Sequence, residues 1–201
     1  MRTLFSTLPN QLTAARLVLL PVMWVLAFLH LPFYIGIGIF ISFVTDVLDG
    51  YVARRLNQVS ESGSKLDSVA DNLLILSGLV WLWLFRPAIY LQNLVLCAVA
   101  LTVWFSSLLV GAIKFKRFAN LHLYSSKVAG VAMYLFMSSA LIIDRYVPLL
   151  FHLTAPLFIL ASLETLLLQL ISPHVDEHMG SILLVWRRRR ASRRSDERAS
   201  G

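Results

Sequence analysis

Six stretches of about 20 apolar residues, each long enough to carry a helix across the roughly 30 Å hydrocarbon layer of a bilayer, follow one another with only short polar breaks. They run over 11–30, 32–53, 66–86, 88–113, 127–146 and 148–171. Pro32, Pro87 and Pro148 mark three of the breaks, because proline stops or restarts a helix, and charged residues set the others. At 58% hydrophobic and 14% charged, with a mean hydropathy of +0.73, the chain of 201 residues carries more apolar side chain than a water-soluble globule or a disordered chain does. Cys97 is the only cysteine, so a disulfide-stapled fold is excluded. No strand-like alternation runs long enough for a barrel. The first stretch is too long for the core of a signal peptide and lacks a small-residue cleavage site after it, so it reads as a membrane helix. The fold class is an all-α integral membrane protein: six transmembrane helices, a short N-terminal juxtamembrane segment and a basic C-terminal tail. Residues 1–171 form the membrane domain and 172–201 the tail.

Six spans put both termini on one side, with the breaks near 31, 87 and 147 on the other. The termini and the remaining breaks hold Arg2, Arg16, Arg54, Arg55, Lys65, Lys114, Lys116, Arg117, Lys127 and the seven tail arginines from Arg187 to Arg198, leaving only Arg86 and Arg145 opposite. Positive residues collect on the cytoplasmic side, so both ends are expected in the cytoplasm of a cell (inner) membrane protein that crosses several times. A net charge of +7 attracts polyanions. On so apolar a chain the natural partners are anionic membrane lipids, and no nucleic acid is expected. The tail, with SILLVW before its arginines, reads as a segment lying along the cytoplasmic leaflet.

Four aspartates, Asp46, Asp49, Asp67 and Asp71, fall within 26 positions at the cytoplasmic ends of the second and third spans. A carboxylate in a membrane span is costly, so it faces a polar cavity, pairs with a cation or binds a metal. Pairing with Arg54, Arg55 and Lys65 is one reading. Helical spacing favours another: Asp46, Asp49, Gly50, Ala53 and Arg54 share one face of the second span, while Gly63, Asp67 and Asp71 form an i, i+4, i+8 stripe on the third. Gathered oxygen ligands suit two divalent cations, Mg²⁺ or Mn²⁺, better than zinc, whose nitrogen and sulfur ligands are missing. The ions would relieve carboxylate repulsion and present positive charge to a phosphate. Small Gly50 and Ala53 on that face admit a bulky ligand to the backbone, or serve close helix packing in lipid.

These residues spell D-x2-D-G-x2-A-R-x8-G-x3-D-x3-D, from Asp46 to Asp71, and the pattern resembles the signature of the CDP-alcohol phosphatidyltransferase family. PNQLTAARLVLLP, with Pro9, Asn10, Leu12, Thr13, Arg16 and Pro21, resembles the start of the first helix in many of its members. The resemblance implies metal-dependent transfer of a phosphatidyl group from CDP-diacylglycerol to the hydroxyl of a small alcohol, with release of CMP, in phospholipid biosynthesis. It implies that Asp46, Asp49 and Asp67 hold two divalent ions, and that Asp71 completes the second metal site and is the base for the acceptor hydroxyl. It further implies that Gly50, Arg54 and Ser60 contact the CDP-diacylglycerol head group, that Asn10, Leu12 and Thr13 line the nucleotide site beside Ala53 and Gly63, and that the protein forms a homodimer.

The acceptor is the open point. The N-terminal pattern tilts toward glycerol 3-phosphate, whereas ANLHLYSSKVAG does not reproduce the K-x-x-T-x-x-Q run associated with that branch. An inositol phosphate, serine or phosphatidylglycerol are the alternatives. Lys114, Lys116, Arg117, His122 and Lys127 would either bind an acceptor phosphate or simply carry cytoplasmic loop charge. Glu164, in the last span, either touches the acceptor cavity or bonds a neighbouring helix. A membrane cation transporter is the reading from another class, but it needs acids near the bilayer midplane, and these four lie near one face.

Overall fold

A computed structural model describes residues 8–55, 61–115, 124–143 and 147–171, and over these the chain is helical. The helices are α1 (Leu8–Phe28), α2 (Pro32–Arg55), α3 (Glu61–Phe85), α4 (Ala88–Gln92), α5 (Leu94–Phe115), α6 (Tyr124–Ile142) and α7 (Pro148–Ile171). Four of them contain stretches long and apolar enough to cross a bilayer: Leu66–Phe85, Leu94–Lys114, Tyr124–Ile142 and Pro148–Ile171. Shorter apolar stretches, Thr13–Phe28 and Pro32–Leu48, occupy α1 and α2.

Helices α2 and α7 begin at Pro32 and Pro148, where the missing amide proton costs nothing and the fixed φ suits a first turn. Helix α1 closes with paired bonds from Leu31 N to Leu26 O and from His30 N to Ala27 O, each 3.0 Å. That closure needs a left-handed residue, and His30 supplies it at φ 55°. The stretch expected as one span over 88–113 is two helices. Asn93 leaves the helical region at φ −130°, ψ 37°, and its Nδ2 donates back to Ile89 O at 2.9 Å. Tyr90 ties the short helix to α3 by donating to Leu79 O at 2.7 Å.

Helix α1 packs on α2 and α3, α6 lies against α2, α3 and α7, and α5 lies against α7. Met23, Ile35, Ile39, Trp81 and Met137 are fully buried at the centre. Large apolar side chains also cover the outside, with Phe28 and Val95 each 77% exposed, an arrangement stable only against lipid. Helices α2 and α6 approach closely at Gly36, whose carbonyl accepts a 3.0 Å bond from Ser138 Oγ, and where a Cβ would stand 2.9 Å from the Ser138 carbonyl oxygen. At the end of the bundle that holds the loop after α3, Arg86 Nε donates to Ala140 O at 3.0 Å, satisfying a last-turn carbonyl of α6. At the other end Lys114 does the same for α7, reaching Gln169 O at 2.6 Å and Leu170 O at 3.1 Å.

Candidate metal centre

The N-terminal half of α1, the C-terminal part of α2 and the N-terminal part of α3 meet at one end of the bundle. Thr13 and Arg16, a turn apart on α1, are both buried there. Arg16 Nη1 donates to Asp46 Oδ1 of α2 at 2.6 Å and to Asp71 Oδ1 of α3 at 2.9 Å, while Nη2 bonds Asp67 Oδ1 of α3. Nη2 also lies 3.5 Å from Thr13 Oγ1. A guanidinium cannot shed its charge, so burying it requires anions, and these three aspartates supply them. From α6, Tyr134 donates to Asp71 Oδ1 at 3.2 Å, its ring packed on Phe43 with centroids 5.8 Å apart.

Asp46, Asp67 and Asp71 each offer an oxygen, and these oxygens lie within 4.8 Å of one another. Among the described residues, three carboxylates face this one guanidinium. Arg16 and Tyr134 engage Oδ1 of these aspartates. An all-carboxylate donor set fits Mg²⁺ or Mn²⁺, hard ions that take oxygen ligands.

Of the residues singled out in the sequence, the fold thus brings Asp46, Asp67 and Asp71 together, with Thr13 beside Arg16. Gly63 is half-buried in the first turn of α3. Asn10 and Leu12 fall in α1, and Asp49, Gly50, Ala53 and Arg54 in the last two turns of α2, but their side chains lie outside the described residues, as does all of Ser60. Lys116, Arg117 and His122 are also outside them. Of the basic group near them, Lys114 is engaged by the end of α7, and Lys127 Nζ stands 6.0 Å from the Tyr124 ring centroid. Glu164 accepts a 2.5 Å bond from Ser125 Oγ, tying α7 to α6. Nine residues at about 100° each put Ser125 on the opposite side of α6 from Tyr134, so Glu164 faces the α6–α7 seam rather than the aspartates.

Two members of the site escaped the sequence reading. Arg16 figured only as a cytoplasmic charge and as one letter of the N-terminal pattern, although an arginine inside an apolar helix is itself a signal that acids face it. Tyr134 carried no signal at all, since its partner lies 63 residues away.

A family model described as CDP-alcohol phosphatidyltransferase matches residues 6–171. Over 111 residues the chain is 33% identical to a CDP-diacylglycerol–glycerol-3-phosphate 3-phosphatidyltransferase of Haemophilus influenzae, covering 50% of this chain and 60% of the relative. A Pseudomonas fluorescens protein of the same description is 36% identical over 113 residues, covering 50% and 57%. A human cardiolipin synthase (CMP-forming) is 44% identical over 71 residues, covering 34% and 23%. The matches therefore span less than two thirds of the length of these curated relatives.

Proposed function

Since the chain belongs to the CDP-alcohol phosphatidyltransferase family, we propose that it transfers the phosphatidyl group of CDP-diacylglycerol to the hydroxyl of glycerol 3-phosphate and releases CMP. The observation that carries this is the gathering of Asp46, Asp67 and Asp71 from two helices around one small volume, since phosphoryl transfer depends on positioning and charge stabilisation rather than on a protein nucleophile.

Asp46, Asp67 and Asp71, joined by Asp49 one turn along α2, would hold two divalent cations, Mg²⁺ or Mn²⁺. Such ions supply positive charge that polarises a phosphoryl group and offsets charge on a departing nucleotide. Asp71 takes the proton of the acceptor hydroxyl as its oxygen bonds the β-phosphorus and the bond from that phosphorus to the CMP oxygen breaks. Its Oδ1 is held by Arg16 and Tyr134, which orient the carboxylate. Arg54 pairs with the diphosphate, whose oxygens match a guanidinium fork. Gly50 and Ser60 meet the head group, and Asn10, Leu12, Thr13, Ala53 and Gly63 line the nucleotide. The six long helices act as six spans with both termini and the site on the cytoplasmic side of the inner membrane, 1–171 being the membrane domain and 172–201 a lipid-attracting tail, in a homodimer.

The similarity to glycerol-3-phosphate transferases favours that acceptor. Phosphatidylglycerol is the second reading. Purified protein given CDP-diacylglycerol, Mg²⁺ or Mn²⁺, and glycerol 3-phosphate, an inositol phosphate, serine or phosphatidylglycerol in turn is expected to release CMP with glycerol 3-phosphate, the lipid product being identified by mass spectrometry. No CMP with any acceptor refutes the proposal, and CMP with phosphatidylglycerol alone replaces the acceptor.

A further inference from the structure

Arg16 stands among the aspartates rather than beside them. Its fork reaches one oxygen on each of Asp46, Asp67 and Asp71, and its side chain is only 4% exposed. Helix α1 thereby delivers a permanent positive charge to acids carried by α2 and α3. Two consequences follow from that placement. Repulsion among the carboxylates is thereby partly cancelled. Any divalent ion received by the same carboxylates lies close to the guanidinium and is repelled by it.

We propose that Arg16 is a resident counter-cation that keeps the site assembled in the absence of metal and lowers its affinity for divalent ions. The proposal rests on the reading above that the aspartates take such ions. Its burial and three anionic partners hold Arg16 in place when an ion arrives, because a guanidinium pulled from its carboxylates inside the bundle would be left uncompensated. The ion is then bound loosely enough to exchange with the ions in solution. Arg16 acts through the aspartates and is a positioning residue.

The test uses the full chain in detergent, stripped with EDTA and titrated with Mn²⁺. Free Mn²⁺ is read by electron paramagnetic resonance and unfolding by tryptophan fluorescence. Wild type is expected to be folded in EDTA. Arg16→Gln is expected to unfold at a lower temperature in EDTA, to bind Mn²⁺ about tenfold tighter or more, and to gain more in unfolding temperature from Mn²⁺ than wild type does. Arg16→Lys, which keeps the charge, is expected to retain an Mn²⁺ affinity close to that of wild type. Equal or weaker Mn²⁺ binding by Arg16→Gln overturns the proposal, and so does an Arg16→Gln protein that stays unfolded at saturating Mn²⁺. Wild type that binds no Mn²⁺ overturns the metal reading itself, an outcome distinguishable from the other two.

Discussion

Tyr134 and Asp71, on α6 and α3, are joined by a 3.2 Å hydrogen bond in which the phenol donates to the carboxylate. A bond to a charged group contributes about 1.5–3 kcal/mol. Tyr134→Phe keeps the ring against Phe43 and removes only that bond, so CMP release is expected to fall about 10- to 100-fold through kcat. The same lost bond is expected to lower the unfolding temperature in detergent by several degrees. A variant with full activity would show that the phenol does not orient Asp71.

Asp71→Asn preserves shape and removes the proposed base, and is expected to leave a folded protein with CMP release near background. Asp46→Ala removes a proposed ligand on α2 and is expected to lose activity and, in addition, to weaken Mn²⁺ binding. Activity assays and metal titration of the two side by side check the division of roles, and normal turnover in either refutes it.

Close helix contact makes glycines unequal. Gly36→Ala places a Cβ 2.7 Å from Ile142 Cγ1 and 2.9 Å from the Ser138 carbonyl oxygen, and backbone cannot swing aside as a side chain does. A loss of about 1–3 kcal/mol is expected from forcing α2 and α6 apart. At Gly130, in α6, nothing lies within 4 Å of an added Cβ, so Gly130→Ala is expected to be neutral or to stabilise by up to about 1 kcal/mol through helix propensity. Unfolding temperatures of the two variants in one detergent decide it.

Glu164 lies on the seam between α6 and α7 and accepts from Ser125. Glu164→Gln retains an acceptor oxygen there and is expected to keep activity within about twofold, since the residue stands across α6 from Tyr134. Glu164→Ala leaves Ser125 without that partner and is expected to cost about 1–3 kcal/mol of stability. A change of preferred acceptor in Glu164→Gln would return Glu164 to the substrate cavity.

Much of the bundle was legible because lipid imposes a coarse rule: a span is a long apolar run, and Pro32 and Pro148 punctuate it. The break at Asn93 was not, for LQNL contains neither proline nor glycine, and what ends α4 is a side-chain bond to Ile89 O together with the anchoring of Tyr90 to α3. The aspartates were visible through local spacing, since i, i+4 places Asp67 and Asp71 on one face whatever surrounds them. Arg16 meets its acids across 30, 51 and 55 residues of sequence. Periodicity within one helix carries no record of which helix stands opposite.

Lys114 grips the final carbonyls of α7 from the end of α5, and α5 leans chiefly on α7 while α7 also meets α6. Those two helices are strapped into a single plank. Parting one from the other would strip the ammonium from both carbonyls and leave it facing the oil of the bilayer.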